Sequence, residues 1–250
     1  MRASSRSVSQ ATALMISAGV MLLLSACAGV DVSVMDSAET LGKSKISVSS
    51  NLTMGIDMGE WSYEEASDLY DEDYPRDSIH PMMYPELKFG LTDDIDISMR
   101  GGPFNDPASA KLIIKKRIIK QDKYSSAIAI SGGALSGAPM QWEDTNYDSN
   151  QFRVYSGNLA SLHTIKYSPR NHVTIAAIAS YHDFSMKAGK DPRVRRNVYH
   201  AGVRVNWKHF VGKAFYILEL GAEMPLSTHD YHQLQPWIGL GLGREHALRD

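Results

Sequence analysis

From Ile46 onward apolar and polar residues alternate. Ile46, Val48, Ser50, Leu52, Met54, Ile56 and Met58 share one parity, while Ser47, Ser49, Asn51, Thr53, Gly55 and Asp57 share the other. A repeat of two is the signature of a strand with one apolar and one polar face. It returns as Leu87, Phe89 and Leu91 against Glu86, Lys88 and Gly90. Across the tight Thr92-Asp93-Asp94 turn it continues as Ile95, Ile97 and Met99 against Asp96, Ser98 and Arg100. It is cleanest late in the chain, where Tyr199, Ala201, Val203, Val205 and Trp207 alternate with His200, Gly202, Arg204, Asn206 and Lys208. Tyr216, Leu218, Leu220, Ala222 and Met224 then oppose Glu219, Gly221 and Glu223, and Ile238, Leu240 and Leu242 oppose Gly239, Gly241 and Gly243.

The segments Lys111 to Lys120, Ser126 to Leu135, Phe152 to Tyr167 and His172 to Phe184 also read as strands, giving about ten in all, with no amphipathic helix of three turns. Lys116 breaks the alternation by falling on the face of Leu112, Ile114 and Ile118, where a bulge or a lysine snorkelling to a membrane edge would accommodate it.

The links alternate too. Those through Glu60 to Met82, Gly102 to Ser109, Ser136 to Gln151, Ser185 to Arg196 and Ser227 to Gln233 are long; those centred on Asp93, Asp122, Arg170 and Gly212 are short. Short turns at one end and long loops at the other, with an even strand number, describe an all-β, up-and-down antiparallel transmembrane-type barrel whose termini share the short-turn end. In pattern the region Lys45 to Gly243 resembles small bacterial outer-membrane β-barrel proteins. That resemblance implies residence in the outer membrane and a non-enzymatic structural or recognition role. Alternation does not fix which face is outside. A lipocalin-like soluble calyx, with the apolar stripes around a small hydrophobic ligand, is the rival, and a lipid-modifying outer-membrane enzyme is a third reading.

With the apolar face outward, Asp57, Glu86, Lys88, Asp96, Arg100, Arg204, Lys208, Glu219 and Glu223 point into a narrow lumen, where opposite charges are expected to pair as an ionic core.

The amino terminus adds an address. Arg2 and Arg6 precede an uncharged run from Ala11 to Leu24 that is too short for a membrane span, and Leu24-Ser25-Ala26-Cys27 closes it on the single cysteine of the chain. These residues resemble a bacterial lipoprotein signal (lipobox), which implies cleavage before Cys27, diacylglycerol on its thiol and an N-acyl lipid such as palmitate. The expected organisation is a removed signal peptide at 1–26, a lipidated N-terminus and polar tether at 27–42, and a barrel domain at 43–250. In a Gram-negative envelope the anchor is expected on the periplasmic side of the outer membrane. Removing residues 1–26 takes two arginines from a formal charge of −2, leaving −4; no nucleic-acid partner is expected, no cofactor beyond the attached lipid, and no protein partner is indicated.

Chemistry elsewhere is sparse. The loop 60–77 holds Glu60, Glu64, Glu65, Asp68, Asp71, Glu72, Asp73 and Asp77 against Arg76, without calcium-loop spacing. Lys187, Lys190, Arg193, Arg195 and Arg196 form a basic cluster suited to lipopolysaccharide phosphates. His229, Asp230 and His232 offer metal-ligand chemistry at a loop tip, although polar loop residues explain them as well. Ser161 and His163 share a strand face, and His182, Asp183 and Ser185 sit at a strand end. Without a G-x-S-x-G context these give no catalytic assignment.

Overall fold

The structure is a computed structural model that describes residues 34–56, 79–102, 108–137, 151–187, 194–226 and 235–247. Its strands are β1 (Lys45–Ile56), β2 (Ile79–Gly90), β3 (Ile95–Gly102), β4 (Ala108–Lys120), β5 (Tyr124–Gly137), β6 (Gln151–Ser168), β7 (Asn171–Lys187), β8 (Val194–Val211), β9 (Ala214–Pro225) and β10 (Gln235–Ala247). Each pairs antiparallel with its sequence neighbours, and β1 pairs with β10 to close a ten-stranded barrel. Every expected strand is present. The second begins earlier than the alternation suggested, at Ile79, and Asp57 and Met58 lie outside the described residues.

The short links after β2, β4, β6 and β8 close one end, where Ile46 of β1 pairs with Phe89 of β2 and with His246 of β10. Both ends of the barrel chain therefore share the short-turn rim. Burial settles the direction of the alternation. Val203 and Val205 are 53% and 44% exposed while Arg204 and Asn206 are 0% and 1% exposed. Ile238, Leu240 and Leu242 likewise lie on the outside, and Glu219 and Glu223 inside. The rival soluble calyx is thus overturned: the apolar stripes surround the barrel, and the polar parity fills it.

Lys116 is accommodated on the outer face. It stays exposed between the inward Lys115 and Arg117, and the ladder to β5 shifts register between Arg117 and Ile119. At the shift both Ile118 and Ile119 are exposed, at 54% and 41%.

Candidate functional site: a lumen filled by residues 34–43

Residues 34–42, expected as part of a polar tether, run inside the barrel from its short-turn rim, with Lys43 exposed at that rim. Gly42, at φ 85°, turns the chain at the short-turn rim, and its carbonyl approaches β2 so closely that a Cβ on Gly90 would lie 1.9 Å from that oxygen. Lys43 donates its amide to Asp93 Oδ1 at 3.2 Å, and Leu41 donates to Asp96 Oδ1 at 3.1 Å. Further in, the Ala38 amide donates to Thr164 Oγ1 at 2.7 Å, while Asn206 donates to the Asp36 carbonyl at 3.0 Å. At the inner limit of the described segment the Met35 amide donates to Glu219 Oε2 at 2.7 Å, and Arg100 donates to the Val34 carbonyl at 3.0 Å. A segment that cannot join the closed ladder still has peptide groups to satisfy, and lumen side chains satisfy them.

Apolar contacts fix its sides. Ala38 packs with Ala127, Ala160, Leu162, Ala176 and Ile178, with Val34 against the same cluster, while Met35 packs with Phe215 and Ile217. Gly239 of β10 makes room here, since a Cβ on it would lie 2.3 Å from Met35 Cε. Gly241 and Gly243 make room on the same inner wall for wall side chains, Asn51 for the first and Phe215 and Ser49 for the second.

The charges interlock. Asp36 receives Lys88 Nζ at 2.8 Å and Lys115 Nζ at 2.9 Å. Lys115 also donates to the carbonyls of Ser37 and Glu39. Glu39 meets Lys166 at 3.2 Å and Arg117 at 3.4 Å and accepts a short hydrogen bond from Ser125. Burial opposes the Asp36 charge, but the ammonium groups of Lys115 and Lys88 outweigh it and hold the carboxyl well below the usual carboxylate range. Glu39 is lowered too, its partial burial outweighed by hydrogen bonds from Ser125 and Lys166 and by the charges of Lys166 and Arg117.

Of the residues expected in the lumen, Arg100 forms a pair with Glu86 at 2.8 Å, Lys88 lies 3.5 Å from the same carboxylate, and Asp96 is 3.4 Å from Lys115. Arg204 binds Glu223 at 2.6 Å and lies 3.8 Å from Glu219, which also accepts from Trp237 Nε1 at 2.9 Å. Lys208 pairs with Glu245 at 2.8 Å and sits over the rings of Phe215 and Phe210. Asp57 lies outside the described residues. Sequence reasoning missed Asp36, Glu39, Lys115, Arg117, Lys166 and Glu245. On the long-loop side of this network the rings of His182 and His200 are 5.2 Å apart, with His200 Nδ1 3.4 Å from Glu223. A cavity of about 20 Å³ between Tyr84, Arg100, Lys111, Leu135 and Val154 is large enough for one water.

No family model matches the chain, and no curated protein matches it. Solved structures do. The outer membrane protease OmpT from Escherichia coli is 9% identical, with a TM-score of 0.46 over 84% of this chain and 99% of that one. Ail, the attachment invasion locus protein of Yersinia pestis, is 7% identical, with a TM-score of 0.41 over 82% and 99%. The N-terminal β-barrel domain of Pseudomonas aeruginosa OprF is 11% identical, with a TM-score of 0.36 over 82% and 99%. At these values the barrel rests on its own strand pairing.

Of the basic cluster, Arg195 is exposed at the long-loop end, where its guanidinium donates to both carboxylate oxygens of Asp183 at 2.8 and 2.5 Å. Lys190 and Arg193 lie outside the described residues, as do Cys27, the acidic loop and His229, Asp230 and His232; the side chains of Lys187 and Arg196 are likewise not described. On the outer wall, Ser161, His163 and Tyr124 come together: Ser161 Oγ is 3.0 Å from His163 Nε2, and His163 Nδ1 is 2.8 Å from Tyr124 Oη.

Proposed function

We infer that this chain is a lipid-anchored barrel of a bacterial outer membrane, filled by its own N-terminal segment and serving a structural or recognition role at the envelope. One observation carries the reading. Large apolar side chains, among them Leu112, Ile130, Leu159, Val203, Leu220 and Leu242, cover the outside, while Arg204, Glu219, Lys115 and Glu86 are buried inside. That inversion suits a lipid solvent and is unfavourable in water, where contiguous apolar patches of this extent associate.

The Leu24-Ser25-Ala26-Cys27 pattern supports an anchor, with diacylglycerol on the Cys27 thiol and an N-acyl chain on its amine. The interlocked lumen supports a scaffold over an open pore, since Asp36 and Glu39 occupy the centre of the ionic network. Arg195, with Lys187, Lys190, Arg193 and Arg196 close in sequence, gives the link between β7 and β8 a basic character suited to lipopolysaccharide phosphates.

Fractionation of inner and outer membranes from cells producing the wild type and Cys27→Ser tests the reading. The mature wild type should be recovered in the outer-membrane fraction with residues 1–26 absent and an acylated Cys27 by mass spectrometry. Purified and refolded Cys27→Ser barrel should still insert into vesicles by its own strands. Release of that variant into buffer as a soluble monomer would overturn the barrel reading, and an unmodified Cys27 thiol would overturn the anchor alone.

A further inference from the structure

The outer wall carries a polar cluster that the scaffold reading does not use. Ser161 and His163 are two residues apart on β6 and so face the same way, and Tyr124 opens β5 beside them, in register with Ile165. Ser161 Oγ lies 3.0 Å from His163 Nε2, and His163 Nδ1 lies 2.8 Å from Tyr124 Oη; with the imidazole proton on Nδ1, the serine hydroxyl donates to Nε2 and Nδ1 donates to the tyrosine oxygen. This is a hydroxyl held by a base that a third group holds in turn, which is the arrangement that activates a serine nucleophile. The surroundings are apolar: Ile128 and Ala177 flank Ser161 in register, Ile175 flanks His163, and Ile130 and Leu159 lie nearby on the same outer face. Tyr124 directly follows the short turn, so the cluster lies near the rim and within reach of water.

Register also gives a place to Lys116, the lysine that interrupts the apolar parity of β4. Lys116 pairs with Ile128, and Ile128 pairs with Ser161. The three residues form one outward row, with Lys116 two strand spacings, about 10 Å, from Ser161. A lysine side chain covers more than half of that distance, which suits its ammonium to the phosphate of a lipid whose acyl ester lies at Ser161.

We propose that Ser161, His163 and Tyr124 form an esterase site on the membrane-facing wall that acts on acyl esters of phospholipids, with Lys116 holding the phosphate. In the first step Ser161 Oγ bonds to the ester carbonyl carbon and its proton passes to His163 Nε2. The bond from that carbon to the glycerol oxygen breaks, and the lysophospholipid leaves with the proton from His163. Water from the rim then attacks the acyl-serine, giving its proton to His163. The fatty acid departs and Ser161 recovers its proton. Tyr124 is a positioning residue, fixing the tautomer by accepting from Nδ1.

The proposal rests on the outward direction of the apolar face but can be tested without a bilayer. The full chain, folded in detergent micelles, is exposed to an alkyl fluorophosphonate, which replaces fluoride with Ser Oγ at an activated serine. Hydrolysis of a fluorogenic phosphatidylglycerol is followed in mixed micelles, with the heat-dependent shift in gel mobility as the check on folding. The folded wild type should be labelled at Ser161 and release fatty acid. Ser161→Ala should abolish both, and His163→Gln should reduce both at least tenfold. Tyr124→Phe should lower kcat with KM unchanged, and Lys116→Met should raise KM for the anionic lipid with kcat unchanged. A folded wild type that is neither labelled nor hydrolytic would overturn the proposal, as would labelling or hydrolysis that persists in Ser161→Ala. Either result leaves the outer-membrane reading standing.

Discussion

Asp36 Oδ2 lies 2.9 Å from Lys115 Nζ, joining a residue ahead of the first strand to the inner wall of the fourth. Lys115 is buried and Asp36 partly so, and the charges remain because each has further partners: Lys88 for Asp36, and Asp96 with two backbone carbonyls for Lys115. Removing one member of such a pair costs more than the pair contributes, because the other charge is left in a poor solvent. Asp36→Ala should therefore destabilise the barrel by about 3 kcal/mol, toward the low end for a buried pair, since Glu86 and Asp96 still face the lysines. Urea unfolding in micelles measures it. Asp93→Asn, at the exposed rim, keeps an acceptor for the Lys43 amide and should fall within about 0.5 kcal/mol of wild type; equal effects would contradict the ionic role of Asp36.

The insertion should respond to acid. A carboxyl whose pKa is lower in the folded state stabilises that state above its unfolded pKa and loses the contribution as pH falls through the folded value. Asp36 and Glu39 are both lowered, so docking of residues 34–43 is fully supported at neutral pH and weakens below about pH 4. Trp237 reports on it, because Glu219 holds both Trp237 and the Met35 amide. With Trp61, Trp142 and Trp207 replaced by Phe, Trp237 emission should be steady from pH 8 to 5 and change on acidification below 4. A signal that changes above pH 6 would not fit these carboxylates.

Deleting residues 31–42 should open the lumen. The acids lost include Asp36 and Glu39, while Lys88, Lys115, Arg117 and Lys166 stay on the wall, so the emptied lumen gains positive charge relative to the filled one. In planar bilayers the intact chain should be silent and the deletion should conduct with a preference for chloride over potassium. Equal conductance of the two forms would show that residues 34–43 do not block the path.

The strands were legible because a half-buried strand writes its two environments on alternate residues, and Glu86, Arg100, Arg204 and Glu219 were legible as inward for the same reason. The inserted segment was not. Residues 34–43 pair with no strand, so they carry no period, and their amides are satisfied one at a time by Thr164, Asp96 and Glu219 from distant parts of the chain. A missed signal lay in the charge count. Lys115, Arg117 and Lys166 also face inward, and once they join the inward residues the wall needs the acids that Asp36 and Glu39 bring. The hydrogen bonds among Ser161, His163 and Tyr124 were half legible: spacing put the first two on one face, whereas Tyr124 arrives only through the β5–β6 register.

The direction of the alternation is the central claim, and labels on β8 test it most directly. With single cysteines at 203, 204, 205 and 206 in a Cys27→Ser background folded into vesicles, spin labels at positions 203 and 205 should relax faster through collision with oxygen in the lipid phase and be shielded from a water-soluble nickel chelate. Those at Arg204 and Asn206, where they are tolerated, should show no lipid contact. Val203→Arg should cost about 2–4 kcal/mol if it lies near mid-membrane. Equal water exposure at all four positions, or lipid contact at Arg204 with none at Val203, would contradict a barrel whose apolar face meets the membrane.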